Sequence, residues 1–365
     1  MSHHPQSHTF SRAGRPFGPV LGIESSCDET AAAVLDSRGQ VLSNVISSQI
    51  AVHEKFGGVV PELAARAHLG MIDVVVKDSL ARSGLRREEL RAVAVTVGPG
   101  LAGALLVGVN YAKALSYGLG IPLIGVNHLE GHIASAWLAD PTFPVPCIVL
   151  VVSGGHTHLY RREADGSCAL LGCTRDDAAG EAFDKGAQML GLGFPGGPAI
   201  DDLARQGDST AIAFPRFEGR ASGFEFSFSG LKTSLLYKLR EMDAVARVQR
   251  AADLAAGYQE AIVQVLVAKA FSALSHEGLS ALAVVGGVSA NSRLRALLTT
   301  RAGESSVRLA LPPVGFCTDN AAMIASAGRQ ALLADVSPNG DLDIQPTLQI
   351  SSSYRPANGK EIAHS

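Results

Sequence analysis

The sequence predicts a duplicated α/β fold of two lobes, and three observations carry that reading. At 365 residues the chain is too long for one small core and suits two lobes of ordinary size. Short apolar runs with strand character alternate with longer runs of helical spacing, the pattern of layered α/β folds. One local arrangement (apolar strand, polar turn, strand) occurs once in each half.

Residues 20–23 form the first apolar strand. The polar turn Glu24-Ser25-Ser26-Cys27-Asp28-Glu29-Thr30 follows, and residues 31–35 return as a strand. Residues 61–82 place Leu63, Ala67, Met71, Val74, Val75 and Leu80 at three- and four-residue spacing, which predicts a helix. Residues 92–112 carry no charge, but Gly98, Pro99 and Gly100 interrupt them. A membrane-spanning helix does not tolerate that break, so the expectation is a buried strand over 92–97, a tight turn and a helix over 101–117. A strand over 122–126 completes the half. In the second half, residues 147–152 are a strand, Ser153-Gly154-Gly155-His156-Thr157 is the polar turn, and residues 158–161 lead away. A long helix over 253–274 puts Leu254, Tyr258, Ile262, Val265 and Leu266 on one face. A strand over 282–285, a helix from residue 290 and a helix over 320–333 follow, with Asp319 expected as the N-cap of the last. The expected division is a disordered tail over 1–19, a first lobe over 20–143, a second over 144–335 and a C-terminal segment over 336–365. The prolines at 141–146 mark the boundary.

Composition removes several function classes. Hydrophobic residues make up 47% and charged residues 18%, which excludes a disordered polyampholyte. The net charge of −3 and the 5% aromatic content give no overall footprint for nucleic acid and no base-stacking sheet. Five cysteines, an odd number with no CxxC pair, argue against a disulfide scaffold or a Cys-rich zinc site and fit a reducing cytosol. The N-terminal twenty residues lack an apolar core and do not read as a signal peptide.

His128-Leu129-Glu130-Gly131-His132 sets two imidazoles four apart, on one face of a helix, where they could share a metal ion or simply lie on a helix surface. Glu130 points away from that face, unlike the glutamate of H-E-x-x-H proteases. A metal needs a third ligand, and Asp319 is a candidate from far along the chain. The glycines of the 153–157 turn let backbone N–H groups approach an anion, although a plain hairpin explains them equally. Gly286-Gly287-Val288-Ser289-Ala290-Asn291 joins a strand to a helix, where nucleotides sit in α/β folds, but it is not GxGxxG. Asn291 would bond a base or ribose, or cap the helix. Asp184, in Gly180-Glu181-Ala182-Phe183-Asp184-Lys185, would accept from a hydroxyl or pair with Lys185 or Arg175.

Read together, these motifs resemble one family. Gly22 to Thr30, His128 to His132, Val152 to His156, Gly180 to Lys185, Ser227 to Thr233, Gly286 to Asn291 and Cys317 to Asn320 stand in the order shown by bacterial tRNA adenosine threonylcarbamoyltransferases (TsaD, formerly Gcp or O-sialoglycoprotein endopeptidase). The resemblance spans residues 21–355. It implies a two-lobed actin-like ATPase (ASKHA) fold with duplicated RNase-H-like lobes and a cleft between them. It implies transfer of the threonylcarbamoyl group from L-threonylcarbamoyladenylate to N6 of adenosine 37, in tRNAs reading codons that begin with A. His128, His132 and Asp319 would hold one divalent ion, iron(II) or alternatively zinc. Val152, Ser153, Gly154, Gly155, His156, Asp184, Gly197, Asp201 and Asn291 would contact the adenylate. Asp28 or Glu29 would take the amine proton. Expected partners are tRNA, the paralogue TsaB and the small ATPase TsaE, in the cytoplasm and without a membrane. The residues 61–82 helix, through Met71 and Val75, is the expected docking face. A metalloprotease and a sugar-kinase-like or chaperone-like ATPase are the competing classes.

Overall fold

The computed structural model describes residues 18–217, 223–334 and 342–350; the tail up to residue 17 and the end from 351 lie outside the described residues. The first half comprises β1 (Val20–Glu24), β2 (Glu29–Leu35), β3 (Val41–Ser48), a single turn α1 (Ile50–His53), α2 (Pro61–Ser83), β4 (Ala92–Gly98), α3 (Ala102–Leu119), β5 (Leu123–Asn127) and α4 (His128–Ala139). The second comprises β6 (Cys147–Val152), β7 (Thr157–Arg162), β8 (Cys168–Cys173), α5 (Ala179–Met189), α6 (Gly196–Ala204), α7 (Ser229–Arg240), α8 (Ala244–Gln249), α9 (Ala251–Glu277), β9 (Ala281–Val285), α10 (Ser292–Glu304), β10 (Arg308–Ala310) and α11 (Ala321–Leu333).

The two sheets run β3-β2-β1-β4-β5 and β8-β7-β6-β9-β10, and they have the same topology. In each, the first three strands form an antiparallel meander. The last two lie parallel to the first. The duplication expected from two polar turns is thus a duplication of whole sheets. β3, β8 and β10 were not legible as strands: β3 is an edge strand with several polar, part-exposed positions, and β10 has three residues. The uncharged 92–112 stretch is strand β4, the turn and part of α3, and no described helix is long and apolar enough to cross a membrane.

Parallel β strands need both faces covered. The outer face of the first sheet packs on α2 and α3, joined by Leu342. The outer face of the second packs on α9 and its neighbours. Between the sheets the helices exchange sides. α11, from the end of the chain, covers β1, β2 and β4, while α4 covers β6 and β9. α4 and α11 also pack on each other. Small residues allow this approach. A Cβ on Gly22 would stand 2.3 Å from the Ala321 carbonyl oxygen, and one on Gly328 would stand 2.4 Å from Ala94 Cβ. A Cβ on Gly131 would meet Ile324 Cδ1 at 2.7 Å.

Val75 lies 2% exposed in the first-lobe core, so it is not part of a docking face. The apolar residues that α2 turns outward are Leu69 and Val74, 71% and 52% exposed.

Gly22→Ala should lower the urea midpoint, by about 1–3 kcal/mol of stability, because rigid backbone opposes the new methyl. Gly154→Ala should leave the midpoint unchanged, because nothing lies within 4 Å of its added Cβ. Equal midpoints for both variants would contradict the packing described.

Candidate functional site

β5 runs into α4 without a loop. Asn127 ends the strand and caps the helix, its Oδ1 accepting from Leu129 N–H at 2.8 Å. His128 therefore stands in the first turn, at the carboxyl end of the edge strand β5, with His132 one turn on. Their rings meet edge to face at 4.7 Å. Asp319 arrives just ahead of α11. It is not the N-cap expected from sequence: Asn320 caps α11, accepting from Met323 N–H at 3.0 Å. The adjacent position turns Asp319 instead toward the imidazoles, with Oδ1 3.5 Å from His128 Nε2 and 3.1 Å from His132 Nε2.

The ligand atoms of these three side chains lie within 4.8 Å of one another. His132 is fully buried, and neither of its ring nitrogens has an aligned hydrogen-bond partner. A buried orphan imidazole nitrogen beside a carboxylate fits a cation-binding trio, because a cation would satisfy the nitrogen lone pair. Burial opposes ionisation of Asp319, but the His128 and His132 imidazoles outweigh it and hold the carboxyl below its usual range. Burial likewise opposes protonation of His128, and Asp319 and Glu24 overcome it, raising His128 to about 9. Glu130 points away into solvent, as its spacing predicts.

The acidic turn of the first lobe faces this cluster. Burial, and then the charge of Asp319, raise Asp28. Burial lifts Glu29 to about 8 despite a 2.9 Å hydrogen bond from Ser48 Oγ, and Asp28 and Asp319 add to the lift. Glu29 Oε2 is buried without a partner. The turn is clamped from behind. His68, buried on α2 in line with Ala64 and Ile72, reaches Thr30 Oγ1 at 2.7 Å and the Cys27 carbonyl at 3.0 Å. Leu101 N–H donates to the Ser26 carbonyl at 2.8 Å.

On the second lobe, Val152 is buried at the end of β6 and Ser153 N–H closes the turn on the His156 carbonyl at 2.8 Å. The backbone at Gly154 and Gly155 is exposed, and a Cβ on either, or on Gly197, would meet nothing within 4 Å. Burial, followed by the charges of His128, His158 and His132, drops His156 to about 3, which keeps it neutral beside the cluster. Asp184 accepts from Gly196 N–H at 2.7 Å; Lys185 pairs with Asp177 and Glu181 instead. Burial raises the Asp184 carboxyl, and the charge of Asp28 from the other lobe adds to it. Asp201 and Asn291 are drawn together but are already engaged. Asp201 accepts from Ser292 Oγ at 2.8 Å and pairs with Arg205. Asn291 caps α10 through Leu294 N–H and donates to Gln259 Oε1 at 2.7 Å.

Sequence reasoning missed Glu24 and His68. Glu24 ends β1 at 0% exposure, 3.1 Å from His128 Nδ1. The signal was a carboxylate directly continuing a buried central strand, at the carboxyl edge where α/β sites form.

A raised carboxyl binds its proton more tightly in the native state, so its contribution to stability is present below its ordinary pKa and lost as pH rises through the native value. In metal-free protein Glu29 should therefore contribute a fall in melting temperature between pH 4.5 and about 8, and Glu29→Gln should remove that contribution. Superimposable melting-temperature profiles for the two proteins would contradict the buried Glu29 described.

Comparison with known proteins supplies the family. The family model for TsaD, tRNA N6-adenosine threonylcarbamoyltransferase, matches residues 40–326. A protein of that name from Anaeromyxobacter dehalogenans (strain 2CP-C) is 54% identical over 332 residues, covering 91% of this chain and 99% of the relative. Another, from Clostridioides difficile (strain 630), is 48% identical over 332 residues, covering 91% and 98%. Among solved structures, T. kodakarensis HypF superposes with a TM-score of 0.59 at 14% identity, over 88% of this chain and 48% of that one. The activator of 2-hydroxyisocaproyl-CoA dehydratase from Clostridium difficile, with bound ADPNP, gives 0.51 at 14% identity, over 89% and 100%. These distant likenesses establish the fold as the actin-like ATPase one. The sequence matches reach further, and by them the chain belongs to the tRNA N6-adenosine threonylcarbamoyltransferase family.

Proposed function

We propose that this chain transfers the threonylcarbamoyl group from L-threonylcarbamoyladenylate to N6 of adenosine 37, in tRNAs that read codons beginning with A. The observation that carries the reading is one arrangement: the His128–His132–Asp319 trio lies between an acidic turn of one lobe and open glycine backbone of the other.

The donor is a mixed anhydride and already activated, so the site needs no covalent nucleophile. It needs to orient the adenine amine and stabilise charge on the acyl and phosphate oxygens. The bare turn at Val152, Ser153, Gly154, Gly155 and His156 offers N–H groups and room for the adenylate. Gly197 and Asp184 lie along the same donor. Asp201 and Asn291 support it from behind, since their polar atoms already hold α10. His128, His132 and Asp319 would hold one divalent ion, iron(II) or zinc before magnesium given two imidazoles, and it would supply Lewis-acid stabilisation of the donor oxygens. Asp28 or Glu29 accepts the amine proton; burial has already raised both carboxyls toward the range where a general base works.

A net charge of −3 gives a weak grip on a polyanion, so the reading includes the paralogue TsaB and the ATPase TsaE as cytoplasmic partners. Leu69 and Val74 of α2, with Tyr117 of α3 at 92% exposure, are the apolar surface on which a homologous lobe would dock.

The test is nucleoside analysis of tRNA incubated with the adenylate and the purified chain, with and without partners. Modified adenosine is expected, with multiple turnovers only when partners are present. Cleavage of a protein substrate, or ATP hydrolysis with no transfer to tRNA, would overturn the reading. Elemental analysis should find one ion per chain in the wild type and background levels in His132→Ala; equal metal in both would remove the trio as ligands. Calorimetric titration with the adenylate should show weaker binding to Asn291→Ala, and its melting should show the lost cap, about 1 kcal/mol. Unchanged adenylate affinity would take Asn291 out of the site.

A further inference from the structure

Glu24 is a carboxylate with no exposed surface, at the end of β1. Burying it unpaired would cost several kcal/mol, so its partners define its purpose. Oε1 accepts from the backbone N–H of Ser26, two residues on. Oε2 lies 2.7 Å from Thr96 Oγ1 on β4 and 3.1 Å from His128 Nδ1 on α4. Ser26 Oγ also stands 3.1 Å from that same Nδ1. Glu24 and Ser26 therefore converge on one side of a single imidazole, with Thr96 bracing Glu24, and the other side, Nε2, faces Asp319 at 3.5 Å. His132 has no such support, since its Nδ1 is buried without a partner.

We propose that Glu24 is a positioning residue that keeps the proton of His128 on Nδ1, aims the ring, and so presents the Nε2 lone pair to the metal. A histidine binds metal through an unprotonated nitrogen, and the hydrogen bond at its other nitrogen decides which one that is. This rests on the metal reading of the trio given above.

Glu24→Gln probes the device by reversing its polarity at nearly constant shape. The Ser26 amide can only donate, so the Gln carbonyl must face it. The Gln amide then points its own N–H at His128 Nδ1. That nitrogen becomes an acceptor, and the proton is driven to Nε2, where it blocks metal binding.

Zinc serves as the probe, because it is diamagnetic. In zinc-loaded wild-type protein, imidazole nitrogen NMR should find His128 protonated at Nδ1 and bare at Nε2. A proton on Nε2 would overturn the proposal and needs no variant to detect. By competition with a chelating dye, zinc affinity of Glu24→Gln should fall about 10–100-fold, the range for lost outer-shell partners. Melting of the metal-free variant is recorded alongside, since a purely structural role would move stability and leave zinc affinity alone. Wild-type zinc affinity in a folded Glu24→Gln would overturn the proposal while sparing the trio. Failure of the wild type to take up zinc or iron(II) would instead overturn the metal reading on which the proposal stands.

Discussion

The close seating of α4 against α11, between two sheets, is the constraint from which the rest follows. Each helix comes from one half of the chain and covers the sheet of the other half. Gly131 lets α4 come up to α11, and Gly22 and Gly328 seat α11 on the first sheet, each at a place where no side chain intervenes. Interiors packed at crystal density transmit small displacements instead of absorbing them. Gly131 sits between the two histidines on α4, and Asp319 immediately precedes the cap of α11. The spacing of the helices is thereby also the spacing of His128, His132 and Asp319.

The electrostatics of the buried cluster depend on that geometry. Glu24, His128, His132 and Asp319 place two carboxylates and two imidazoles where water is largely excluded. Such a cluster stabilises the fold only when its charges and hydrogen bonds balance, and removing one partner of a buried pair typically costs about 3–5 kcal/mol. Its influence reaches the acidic turn, where Asp319 helps burial raise Asp28 and Glu29. It reaches the second lobe as well, where His128 and His132 help burial hold His156 neutral. The acidic turn, the histidine pair and the glycine turn thus share one electrostatic centre.

Much of this was readable in the residues. Period and spacing gave the central strands and the long helices, because those lie in the core and their apolar pattern is unbroken. The paired histidines were plain at i, i+4. Asp319 was legible as a partner of the two histidines but misplaced as a cap, because Asp and Asn cap helices equally well and adjacent positions compete. Only the tertiary packing decides which of the two turns inward. Glu24 read as the first residue of a polar turn; its burial depends on β4 and α4, distant in sequence. Val75 looked available for a partner because periodicity finds an apolar face without saying what covers it. The exchange of α4 and α11 between sheets left no local mark at all, since an alanine-rich helix fits either sheet.

That exchange has a consequence for the order in which the protein is made. The inner face of the first sheet, with Ala31, Ala33, Ala94 and Val126, is covered by residues 321–333, synthesised nearly three hundred residues after β1. Until then the growing chain carries a finished sheet with one bare apolar face, the kind of surface that chaperones bind and that drives aggregation. The same late segment delivers Asp319. Translation that stops short of it yields a product lacking Asp319 and a core layer together.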